Sequence, residues 1–229
     1  MALVEDPSAP AALIGTSGPG AGGVTTANFN PPANSLIMMV ITSDVTNVGN
    51  SATATVTDSL GHIFAAQAQV SASVTGYAGI FTYYLGSAQT NYNLTIVLNS
   101  AQMQGANSAG YIFQTFVITG ASPIQNGNNV GSTGNGTINT LFFPSFIGSY
   151  VYGAANDFQN GIALVANGIC TLKAHNEASS DAWGTFRTTN TTTSLASETV
   201  GFTNADQHAI AAYEVVPGIT PATVSWFTA

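Results

Sequence analysis

Charge is what this sequence has least of. Of 229 residues only 5% are charged, with ten Asp and Glu against a single lysine, Lys173, and a single arginine, Arg187, where an ordinary soluble domain carries about 25%. Phosphate backbones and anionic lipid surfaces are held by clustered Lys and Arg, so nucleic-acid and anionic-membrane binding are excluded as expectations. Cysteine is almost absent too: Cys170 cannot form an intrachain disulfide and, between Ile169 and Thr171, reads as a small buried hydrophobe. No apolar run reaches 18 residues, the length a spanning helix needs. The first residues show neither a positive n-region nor a long apolar h-region, which gives the expectation of synthesis in the cytoplasm without a signal peptide. Helical periodicity is missing as well.

What is present in quantity is neutral polarity. Thr, Ser, Asn and Gln number 29, 20, 20 and 9, about a third of the chain, and their hydroxyls and amides must do the solvating that charges do elsewhere. The 24 Gly and 9 Pro punctuate short runs rich in Val, Ile, Thr, Phe and Tyr, the signature of strands and turns. Strands are expected near 24–29, 35–46, 51–58, 62–70, 77–86, 92–99, 110–119, 137–143, 148–155, 161–166, 169–175, 182–190, 198–204 and 208–216. The run Leu-Ile-Met-Met-Val-Ile at 36–41 is apolar on both faces, as in a central strand covered on two sides. Many short strands without interleaved helices predict an all-β fold, an antiparallel β-sandwich of jelly-roll-like type with almost no helix.

Two stretches break the pattern. Residues 7–23 are rich in Pro, Ala and Gly and read as part of an N-terminal arm, residues 1–23, in which Leu13 and Ile14 form an apolar patch expected to dock on a neighbouring subunit. The segment from Gly120 to Gly136 is rich in Gly, Asn and Ser and is expected to be a surface loop. The domain reading is therefore an arm followed by one sandwich over 24–229, with two tandem sandwiches split near 120–136 as the alternative.

Five segments carry a resemblance. Val24-Thr-Thr-Ala-Asn-Phe29, Pro32-Ala-Asn-Ser-Leu-Ile-Met-Met-Val-Ile41, Thr55-Val-Thr-Asp-Ser-Leu-Gly61, the aromatic strand Ile80-Phe-Thr-Tyr-Tyr84 and the closing strand Ala209-Ile-Ala-Ala-Tyr-Glu-Val215 resemble, in this order, the β-sandwich proteins of tailed-bacteriophage virions, over roughly residues 24 to 216. The resemblance implies a virion structural protein: a minor tail, fibre, baseplate or capsid-decoration component found in the particle, acting by assembly with other virion proteins and as a homo-oligomer, with a threefold or larger ring fitting a fibre or vertex. It implies no catalytic motif and no cofactor.

Chemistry-bearing residues are few. The histidines His62, His175 and His208 lie in no nucleophile motif, and His62 and His208 read as strand-end residues. The densest polar cluster runs from Lys173 to Arg187. Hairpin alternation would put Lys173, His175 and Glu177 on one face with Asp181 and Trp183 nearby, a pocket with an aromatic platform suited to a host-surface glycan, and Trp226 is a second candidate platform. His175, Glu177 and Asp181 match no metal-ligand spacing. The Asn156-Asp157 stretch and the Asn-rich segment 126–135 offer oxygens to Ca2+ but at most one carboxylate each, so turns suffice there. Among Glu177, Asp181, Glu198, Asp206 and Glu214 no spacing selects a pair for glycoside hydrolysis. A non-enzymatic role is expected.

Overall fold

A computed structural model describes residues 1–44, 53–72, 76–99, 110–124, 127–158, 162–178 and 181–218. All its regular elements are strands: β1 Val4–Glu5, β2 Leu13–Gly15, β3 Val24–Thr25, β4 Ser35–Asp44, β5 Ala54–Asp58, β6 Ala65–Ala72, β7 Gly76–Leu85, β8 Leu94–Leu98, β9 Gly110–Thr119, β10 Asn129–Phe142, β11 Tyr150–Phe158, β12 Cys170–Ala178, β13 Asp181–Thr188 and β14 Glu198–Val215. All pairings between these strands are antiparallel. The fold is an all-β antiparallel sandwich.

The sandwich has three layers. A small sheet, β3-β8-β5, covers one face of a middle sheet ordered β1/β2-β9-β4-β7-β6, and a third sheet, β10-β14-β11-β13-β12, covers the other. Strand β4 shows why its sequence is apolar throughout. Ile37, Met39 and Ile41 pack with Val56, Leu94 and Ile96 of the small sheet, while Leu36, Met38 and Val40 pack with Tyr152, Ala154 and Ala211 of the third. A strand with no wet face loses the polar half of its alternation. A third apolar cluster lies on the far side of the third sheet, where Ala155, Phe186 and Ile210 meet Ile138, Phe202, Leu164 and Cys170. There β10 and β14 change register between Thr137 and Asn139, and residues 165–167 hydrogen-bond to Gly201 and Thr203.

Several expectations are corrected. The arm is no separate unit: β1 and β2 pair with β9 (Val4 with Thr119, Leu13 with Phe113) and form the edge of the middle sheet. Pro7 and Pro10 fall in the interruption between β1 and β2, where a missing N–H does no harm to an edge. Leu13 packs, partly buried, on its own chain's core, and Ile14 beside it is 47% exposed. The expected loop at 120–136 is strand from Asn129 onward, because nine consecutive residues from Asn129 to Thr137 pair with β14. The segments 198–204 and 208–216 merge into one 18-residue strand, Glu198–Val215, and of the described residues 162–166 only Ala166 is bridged, to Phe202. Residues up to Thr119 build the small and middle sheets and residues from Asn129 build the third, so the chain turns over between halves at 120–128, yet the halves share the second core.

One electrostatic contact fastens the middle sheet's edge to the third sheet. Glu5 on β1 binds Lys173 Nζ at 2.7 Å through Oε2 and Arg187 Nη1 at 2.9 Å through Oε1, and the Tyr152 hydroxyl donates to Oε1 at 3.1 Å. Both basic side chains of the protein thus converge on one carboxylate, and Arg187 also lies over the Tyr150 ring at 4.4 Å. A Glu5→Gln substitution leaves two half-buried cations without their anion and is expected to cost about 1–3 kcal/mol, a fall of about 3–10 °C in melting temperature for a chain of this size. Scanning calorimetry checks it; an unchanged melting temperature would show that the cluster does not hold the layers.

Candidate functional site

The third sheet presents its outer face as rows of side chains set by register. One row crosses all five strands: Glu177, Ala182, Asp157, His208 and Gly134. Asp157 and His208 are neighbours in it, 1% and 4% exposed. The His208 Nδ1–H donates to the Asp206 carbonyl at 2.8 Å, and the ring lies against Gly134, where a Cβ would sit 3.4 Å from Cε1. His208 is thus a buried residue inside a long strand, because β14 runs unbroken through the expected gap. In the adjacent row His175 Nε2 accepts the Leu164 N–H at 3.2 Å. Glu177 Oε1 lies 3.3 Å from the same nitrogen.

The expected glycan pocket does not assemble. Trp183 pairs with Asn156 and Asn176, is fully buried between the middle and third sheets and rests against Gly110. His175 and Glu177 stand on the opposite face. Asp181 opens β13 on the Trp183 side and is 6% exposed. Lys173 is turned away from His175 and Glu177 by the register shift between Leu172 and Ala174 and reaches Glu5. A buried indole offers no ring to a sugar. Trp226 lies outside the described residues. Asn156 is a strand residue whose Oδ1 accepts the Ala209 N–H at 2.9 Å, and Asp157 points to the other face, so these two form neither a turn nor a Ca2+ loop. Among the described residues no group of three or more His, Cys, Asp and Glu has metal-holding geometry.

Two further carboxylates act as backbone anchors. Asp58 accepts the Leu60 and His62 N–H groups at 2.9 Å, the Tyr92 hydroxyl at 2.7 Å and His62 Nδ1 at 2.7 Å. Burial pushes its carboxyl up, but these donors outweigh it and hold the group below its ordinary value. The His62 ring stacks on Tyr83 at 4.5 Å. This acid–imidazole pair is half of a nucleophile site, yet among the described residues no hydroxyl or thiol is hydrogen-bonded to the imidazole. Glu214, fully buried, gathers the Asn128, Ser145 and Phe146 N–H groups and the Ser145 and Ser149 hydroxyls, all at 2.6–3.0 Å. It holds the β10–β11 connection and the start of β10 together.

Sequence reading missed the feature that stands out most as an interaction site, the outer edge of the third sheet. Natural sheet edges are protected by shortness, bulges, proline or charge, and the other edges here have such devices. β3 has two residues and β5 is bridged by Ile63; β6 has a register shift between Ala66 and Ala68; β1–β2 carries Glu5, Asp6, Pro7 and Pro10; β12 carries Lys173, His175 and Glu177. β10 runs 14 residues from Asn129 to Phe142 without a charge or a proline, its register shift lies beyond Thr137 and leaves the nine residues Asn129 to Thr137 regular, and among the described residues nothing pairs with its outer side. At its C-terminal end Leu141 and the following Phe143 are 51% and 58% exposed. The signal in the sequence was there: from Ser59 to Asn156 there is no Asp, Glu, Lys or Arg.

Two outcomes follow from the buried groups. In Glu214 burial raises the carboxyl and the hydrogen bonds from Ser145, Ser149 and Asn128 lower it, with the hydrogen bonds prevailing. A folded value depressed below the ordinary 4.5 means that its stabilisation is full above about pH 4.5 and is lost as pH falls through the folded value. Glu214→Gln is expected to cost about 2–4 kcal/mol near neutrality and to flatten the acid limb of a stability–pH profile measured by urea unfolding. Burial pushes the Cys170 thiol up to about 11, so iodoacetamide at pH 8 should label it only after denaturation; labelling of the native protein would contradict its burial.

No family model matches the chain, and no curated protein matches it. Among solved structures, quercetin 2,3-dioxygenase from Acinetobacter baumannii is similar at 9% identity and a TM-score of 0.23, over 89% of this chain and 66% of that one. A likeness at that level carries no argument about fold or activity.

Proposed function

We propose that the protein is a non-enzymatic structural subunit that works by assembly, and that the assembly is a virion of the tailed-bacteriophage kind. The observation that carries the assembly reading is the open, uncharged edge of β10. Nine residues from Asn129 to Thr137 already pair in unbroken register with β14, so their outward N–H and C=O groups are ordered and available to a further strand. Binding there costs little ordering on this side of the contact. The virion assignment rests on the resemblance of residues 24 to 216 and on a surface almost free of charge, since interface cores are depleted of charged residues. The partner is another subunit of the particle, a second copy of this chain included.

Placing a lysine on that edge tests the reading. Thr133 and Asn135 are exposed on β10, so Thr133→Lys with Asn135→Lys should leave the melting temperature within about 2 °C and weaken self-association or particle incorporation at least tenfold, followed by sedimentation velocity and by recovery with purified particles. A native protein that stays monomeric at all concentrations and joins no particle with a contact above about 1,000 Å2 would overturn the assembly reading.

A further inference from the structure

The open stretch of β10 is complementary to itself. Asn129, Gly131, Thr133, Asn135 and Thr137 are exposed, and Val130, Ser132, Gly134 and Gly136 between them are half-buried. An antiparallel contact between two copies of one strand is isologous, so each residue meets a residue of the same segment and the residue at the axis meets itself. A charge at the axis would meet its like, and this stretch has none. Two copies of net charge −8 repel one another, but the segment from Ser59 to Asn156, which contains β10, contributes nothing to that charge. Asp206 and Glu214 stand one strand further in, on β14.

Side-chain size selects the register. Glycine leaves bare backbone in a strand, a place where another chain can come close, and a larger side chain opposite covers it. With a twofold axis at Thr133, Gly131 faces Asn135, Gly134 faces Ser132 and Gly136 faces Val130, while Asn129 faces Thr137, so the whole regular stretch is used. An axis at Gly131 or Gly134 sets glycine against itself, and one at Asn135 sets Gly134 against Gly136. An axis at Ser132 moves Gly136 and Thr137 past the end of the facing strand. Resting on the assembly reading, we propose that the strand received by β10 is β10 of a second copy, paired antiparallel about a twofold axis at Thr133. Two five-stranded sheets then join edge to edge, and the open edge disappears from both.

Cysteines on the exposed side of β10 read the register in the full-length protein, because the native Cys170 is buried with its thiol pushed up to about 11. Under mild oxidation Thr133→Cys should give a disulfide-linked dimer, since facing Cα atoms of an antiparallel pair stand about 4.5–5.5 Å apart, within bridging range. Asn129→Cys and Thr137→Cys should each cross-link poorly alone and form the mixed dimer when combined. Charge gives a second readout without oxidation. Thr133→Lys and Thr133→Glu should each weaken dimerisation at least tenfold in sedimentation velocity, and an equal mixture of the two should restore it. Circular dichroism confirms that each variant is folded. Cross-linking strongest at another β10 position overturns the Thr133 register. A native dimer that no cysteine traps and neither charge weakens lies on another surface, which overturns the β10 pairing and leaves assembly standing. A chain that is monomeric alone, yet joins particles unless Thr133 is replaced by lysine, receives a different subunit, and only the second-copy assignment falls. A chain that neither dimerises nor joins a particle overturns both readings.

Discussion

A sheet buried on both faces leaves a chain little freedom, and the middle sheet here is of that kind. Each residue of β4 from Ile37 to Ile41 is fully buried, alternating between one core and the next. Charge on any of its central strands would have to be desolvated without a partner, at a cost of several kcal/mol. The layer count therefore dictates much of the composition: the doubly covered strands of the middle sheet have interiors that are apolar or bear neutral polar groups, and ionisable groups stand on edge strands, at strand ends and in the outer sheets, as His208 does inside β14. The two basic residues illustrate this. Both belong to the third sheet, and both reach out to the edge of the middle one to share Glu5.

The acidic residues that do lie inside are used as collectors of hydrogen-bond donors. Asp58 and Glu214 each sit where a connection leaves a strand and several N–H groups would otherwise have no partner, and each is ionised because those donors favour the charged form over the penalty of burial. This is the same device at two ends of the stack. It explains how Asp58 to Ile63 and Phe143 to Ser149 keep fixed shapes in a protein with no described helix and no disulfide. It also links the fold to acidity, since protonating either carboxylate weakens an acceptor on which several donors converge.

How much could be read in advance follows from which interactions are local. The strands β4, β7 and β9 were legible because double burial writes itself as an unbroken apolar run, and β5 because Ala54, Val56 and Asp58 alternate with threonines. The strand character of residues 129–136 was not legible, because Gly, Asn and Ser describe a turn as well as an edge strand, and only pairing with β14 decides between them. The pairing of Leu13 with Phe113 of β9 is a contact across a hundred residues that no local pattern encodes. Trp183 misled for a different reason. Alternation places it reliably on one face of the hairpin, but which face is covered depends on the middle sheet, and the one-residue shift at Lys173 moves that side chain across to the face of Trp183.

The near-absence of charge bears on the sheet edges as much as on the cores. A protein can keep itself in water with threonine, asparagine and serine, and this one does, but neutral side chains do not repel an approaching strand as lysine does. The cost of that choice is therefore felt at the edges, where the chain uses proline, bulges, brevity and its few charges but leaves the regular stretch of β10 from Asn129 to Thr137 without any of them. Guarding β10 would have taken a single lysine in a segment where exposure alternates residue by residue and substitution is structurally easy. An edge left open under those conditions, in a chain that protects the others, is better understood as a place where another strand is received than as an oversight of the fold.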